Sequence, residues 1–121
     1  MRAFNPPDCS TVRTELRSLL RSAGWRAEAI DDAELAFQEI FVNAWLHGRC
    51  PAPAVLVSLR PTLLRVAVCD NCPDLPEPRR PSDPYALSGR GLQLVRALTH
   101  RFGSDPTRTG KVTWFELDRA A

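Results

Sequence analysis

The chain has 121 residues, 44% hydrophobic and 25% charged, with a net charge of +2. That length makes one domain, 1–121, with room for a real core, and the composition is that of an ordinary globular protein. The small, scattered charge argues against nucleic acid or an anionic membrane as a partner, and no apolar run resembles a signal peptide or a membrane span, so the expected location is the cytoplasm.

In chain order, Met1–Ser10 reads as an irregular arm, broken by Pro6-Pro7. Thr11–Ala23 follows as an amphipathic helix with Val12, Leu16, Leu19 and Leu20 on one face, ended by Gly24. Asp31 with Glu34 resembles a capping box opening a central helix, which runs through Leu35–Gly48 and stops at Gly48. Ala54–Arg60 and Leu63–Cys69 are β-type runs joined by Pro61-Thr62, a hairpin by spacing. Residues 71–88 carry five prolines (73, 76, 78, 81 and 84) and little periodicity, the marks of a long functional loop or lid. Gly89–Arg101 reads as a helix with Leu92, Val95 and Leu98 inward, closed by Gly103, and Lys111–Asp118 as a last strand after the Gly110 turn. This order predicts an α+β two-layer sandwich, with helices on one face of a mixed sheet.

Three polar residues stand out in the central helix. Glu39, Asn43 and His47 fall four apart, so they share one helical stripe amid Phe37, Ile40, Phe41, Val42 and Leu46. A helix so apolar is expected to be buried, and buried polar groups need partners. A carboxylate one turn before an amide suits a water or hydroxyl on one and a hydrated Mg²⁺ on the other. The competing reading makes Glu39 a surface residue, Asn43 a loop anchor and His47 a helix-end cap.

Asp70 ends an inner strand, where its carboxylate can accept from an exocyclic amine, or can simply serve a turn. Gly89-Arg90-Gly91-Leu92 opens a helix whose free N–H groups would attract phosphate. Neither a Walker lysine pattern nor a βαβ setting for the GxG is present, so P-loop and Rossmann readings fail. Cys69-Asp-Asn-Cys72 is a CxxC, but Cys9 and Cys50 do not form a second zinc pair, and the motif ends a strand rather than opening a helix. Cys69 is expected in the core and Cys72 in a turn.

Taken together, FQEIFVNAWLHG, the strand-end aspartate, the lid, GRGLQLVRALTHRFG and GKVTWFEL resemble the GHKL (Bergerat-fold) ATPases over nearly the whole chain, Phe4 to Leu117. They are most similar to the short bacterial branch that holds the anti-sigma-factor serine kinases. The resemblance implies ATP and Mg²⁺ as ligands. It makes Glu39 the general base, Asn43 the Mg²⁺ ligand, and Asp70 the adenine acceptor. Gly89 and Gly91 would cradle phosphate, with Arg90 and Leu92 beside them, and His47 closes the motif that holds Asn43.

The chain departs from the family in two places. The usual Asp-x-Gly-x-Gly box reads Asp70-Asn71-Cys72-Pro73-Asp74, without either glycine. Aligning on Trp114 puts Val112 where the family's late-strand threonine lies, with the candidate Thr113 turned to the other face. The family's N-terminal strand is missing or reduced to a stub around Phe4, which leaves a homodimer open. The leading expectation is a serine/threonine kinase that phosphorylates an anti-sigma antagonist and regulates a sigma factor. The alternative is a weak or inactive regulator of the same fold that acts by protein contact.

Overall fold

The computed structural model describes residues 9–48, 53–70, 93–108 and 110–119, with the backbone alone for 46–48. Helix α1 spans Ser10–Ser22 and buries Leu16 and Leu20. Ser10, expected in the arm, already belongs to the helix; residues 1–8 lie outside the described part. Leu19, expected on the buried face, is exposed. The helix ends in a Schellman motif. The Trp25 N–H donates to Leu20 O and the Gly24 N–H to Arg21 O, both at 3.0 Å. Gly24 takes φ +83°, the left-handed conformation that favours glycine there.

Helix α2 spans Ala27–Gly48, beginning earlier than the sequence reading placed it. Asp31 and Glu34 sit inside it and cap nothing. Both accept from Arg17 Nη1 of α1, at 3.0 and 2.6 Å, so the apparent capping box is the acidic half of a seam between two helices. The buried stripe is Ile30, Ala33, Ala36, Phe37, Ile40, Phe41 and Ala44, while Leu35 is 40% exposed. The helix therefore covers the sheet with one face and is not enclosed all round. Fully burying a side chain such as Phe37 is worth about 1.5–3 kcal/mol.

Strands β1 (Ala54–Arg60) and β2 (Leu63–Asp70) form the expected hairpin, with Arg60 opposite Leu63. Residues 93–98 are helical (α3), and their Val95 joins the core. The helix stops short of Arg101: Thr99 still bonds back to Val95 O through its N–H and hydroxyl, but the next N–H, of His100, donates to Glu116 O of the sheet at 3.0 Å. Arg101–Pro106 is instead a strand, β3, which the sequence reading had assigned to the end of the helix and a turn. Strand β4 is Lys111–Asp118, as expected.

The sheet order is β1-β2-β4-β3, with every described pairing antiparallel. A mixed sheet was expected. Strands β2 and β3 do run the same way, joined through α3, but the returning β4 inserts between them and turns both contacts antiparallel. Leu64, Val66 and Val68 of β2 and Phe115 and Leu117 of β4 face the helices and share one core with α1, α2 and Val95. The other face carries Arg65, Trp114, Glu116 and Arg101. There the Arg65 guanidinium lies 4.4 Å from the Trp114 ring centroid.

Candidate functional site

Where α2 points decides what its polar stripe can reach. Trp25 and Arg26, just before α2, and Glu28, Ala29 and Asp32 of its first turns share a cleft of about 610 Å³ with Leu117 and Asp118 at the end of β4 and Arg119 just after it. From Ala29 the helix advances about 21 Å to Asn43. Walking β4 backwards from Leu117 to Lys111 covers about 20 Å. The second half of α2 therefore travels toward the opposite end of the sheet, where β2 finishes and β4 begins. The cleft itself is lined by none of the candidate site residues named from the sequence.

On α2 the four-residue spacing turns about 40° per step relative to the helix axis. The stripe thus drifts from the solvent side at Glu39 toward the flank of Ala36 and Ile40 at Asn43. Both Glu39 and Asn43 are half-buried, which suits groups that border a cavity better than either a free surface or a sealed core. His47 lies in the last turn, and its side chain is outside the described residues.

At the sheet end two polar residues face the helices. Asp70 is 2% exposed and continues the inward row Leu64, Val66, Val68. Thr113 is 6% exposed and lies opposite Val68, two residues short of Asp70 on the same face. Val112, opposite Cys69, points to the outer face. Alignment on Trp114 had put Val112 on the site side; strand alternation puts Thr113 there instead. Cys69 is half-buried on the outer face rather than in the core, and Cys72 lies outside the described residues.

Two neighbours were missed from the sequence. Ser104 of β3 pairs in register with Thr113, with the two hydroxyl oxygens 3.4 Å apart. Lys111, the chain's single lysine, stands opposite Asp70. Only the pairing of β4 with its neighbours reveals either, since β3 has no readable strand pattern. Gly89, Arg90, Gly91 and Leu92, and the lid 71–88, lie outside the described residues.

Among the described residues, no three His, Cys, Asp or Glu side chains gather as a metal cage. Mg²⁺ in a phosphate site is held mainly by phosphate and water, with one or two protein oxygens. Asn43, one turn from Glu39, can provide such an oxygen.

The two-layer fold, with helices on one face of a four-stranded antiparallel sheet, is that of the GHKL-type ATPase domains. The chain belongs to the histidine kinase-like ATPase domain family, whose family model matches residues 3–117. The match spans Glu39, Asn43, Asp70 and Thr113, and membership carries with it ATP binding and ATPase- or kinase-type chemistry. No curated protein matches the chain. No helix among the described residues is long and apolar enough to cross a membrane.

Proposed function

We propose that the chain is an ATP- and Mg²⁺-dependent protein serine/threonine kinase of the anti-sigma switch type. It would act in the cytoplasm on a small anti-sigma antagonist and contact a sigma factor when that antagonist is absent. The observation that carries this reading is the half-buried Glu39/Asn43 pair on a helix directed toward Asp70 and Thr113. Phosphoryl transfer needs mainly positioning, a divalent cation and a base, and these residue types are suited to all three. Glu39 accepts the proton of an incoming serine or threonine hydroxyl, whose oxygen then bonds phosphorus as the bond to the leaving phosphate breaks. Asn43 contributes a neutral oxygen ligand. Asp70 accepts from the exocyclic amine of adenine, next to the Thr113 hydroxyl. The chemistry supplied by bound ATP and Mg²⁺ is an oriented γ-phosphoryl group with its charge neutralised. In this reading Gly89 and Gly91 would cradle phosphate, with Arg90 and Leu92 beside them in sequence, and His47 closes the motif that holds Asn43.

A second reading has its own support. The box after Asp70 lacks both family glycines and holds Pro73, which fixes a backbone that glycine would leave free. That favours a regulator that keeps the fold and acts by protein contact. Calorimetric titration with ATP, with and without Mg²⁺, separates the two. Magnesium-dependent binding, lost in Asn43→Ala while the fold is retained, supports the kinase. Tight binding kept in that variant removes Asn43 as the metal ligand, and no binding at millimolar ATP leaves the contact regulator.

A further inference from the structure

Asp70, Thr113 and Ser104 lie on three adjacent strands, on the face toward the helices, at one end of the sheet. Thr113 is buried, and Ser104 is its side-chain hydrogen-bond partner among the described residues. A hydroxyl has one hydrogen to donate and two lone pairs to accept with. Which of the pair donates therefore sets what Thr113 can offer to anything placed beside it. Ser104 is exposed, so water can satisfy its lone pairs while its hydrogen points at Thr113. Either hydroxyl can donate across the 3.4 Å separation; once a ligand acceptor takes the Thr113 hydrogen, the shielded Thr113 oxygen is left to accept from Ser104.

We infer that Ser104 is a positioning residue for base selection, holding the Thr113 hydroxyl as a donor next to the Asp70 acceptor. The inference rests on the reading of this sheet end as the adenine site. An acceptor beside a donor matches the adjacent amine and ring nitrogen of adenine. Guanine reverses that order, setting its carbonyl oxygen against the Asp70 carboxylate. Ser104 touches no base in this scheme and acts through Thr113 alone.

The test is calorimetric titration of the full chain with MgATP and MgGTP in wild type, Ser104→Ala and Ser104→Thr. Losing one neutral hydrogen bond should weaken ATP binding roughly three- to tenfold in Ser104→Ala. GTP should change little, so the ATP-to-GTP preference falls by the same factor. Ser104→Thr, which keeps the hydroxyl on an edge strand that accepts β-branched residues, should restore the preference. Equal thermal midpoints across the three show that the fold is untouched. An unchanged preference in Ser104→Ala, or no recovery in Ser104→Thr, overturns the role of Ser104 while leaving the adenine site standing. Failure of the wild type to bind ATP overturns the site itself and this inference with it.

Discussion

Gly103 lies against the indole of Trp114, its register partner, so closely that a Cβ there would stand 2.7 Å from Cζ2 and 3.0 Å from Cε2. The ring cannot simply move away. Its Nε1 donates to Asp105 at 3.1 Å, and Arg65 stacks on it. Any shift of the ring therefore breaks contacts on the outer face of the sheet. Gly103→Ala should cost about 1–3 kcal/mol, the usual range for overpacking. Urea unfolding measures it, and a neutral result would mean that β3 can slide along β4.

The same face carries a charge lattice whose pH response has a definite sign. Arg101 donates from Nε to Glu116 at 2.6 Å and from Nη2 to Asp118 at 2.5 Å, while Arg65 reaches Glu116 at 3.0 Å. Hydrogen bonds from Arg101, chiefly, hold both carboxyls below their usual range. A carboxyl lowered in the folded state stabilises it above the unfolded pKa and loses that effect as pH falls through the folded value. Arg101→Gln should therefore lower the melting temperature most at neutral pH. The gap to wild type should close below about pH 4.5, the ordinary value for Glu116. Because the pair is exposed, the neutral-pH effect should be small. An offset that stays constant to pH 3 would assign Arg101 a packing role instead.

These two examples mark where sequence reading stops. Strands β1, β2 and β4 are legible because each is a run of β-type residues bounded by turn residues, and the Glu39–Asn43 spacing needs only the helical period. Strand β3, Arg-Phe-Gly-Ser-Asp-Pro, has no alternation of its own; what makes it a strand is β4 beside it and room over Gly103 for Trp114. Ser104 was invisible for the same reason. Thr113 was assigned to the wrong face because one residue of register inverts every side chain in a strand. Asp31 and Glu34 imitate a capping box locally, and only Arg17, on another helix, shows what they bind. Local pattern locates elements; pairing between distant residues assigns their faces.

Glu39 and Asn43 should separate chemically. Glu39→Gln keeps the size and half-buried setting of the side chain but cannot take a proton. ATP affinity should stay close to wild type, while phosphoryl transfer falls about 10²–10⁴-fold, the usual contribution of a general base. Phosphate release and labelling of hydroxyl-bearing acceptor protein, followed with γ-labelled ATP, give the rate. Full activity in the variant would move the base elsewhere and leave Glu39 a bordering residue.

At the far end of α2, Asp32 points to the opposite pH response from Glu116. Burial, with Asp31 and Glu28 close by, pushes its carboxyl above the usual aspartate value. The dipole at the start of a helix acts the other way, favouring a negative charge there. Burial and two like-charged neighbours prevail, so the folded chain holds this proton more tightly than the unfolded chain does. A carboxyl raised in the folded state supports stability below its unfolded pKa and loses that support as pH climbs through the raised value. Asp32→Asn mimics the protonated form and should raise the melting temperature at pH 7, with the gain vanishing toward pH 3. A lower melting temperature at pH 7 would mean that the helix dipole, or a cation in the cleft such as Arg26, outweighs the cost of burying the charge.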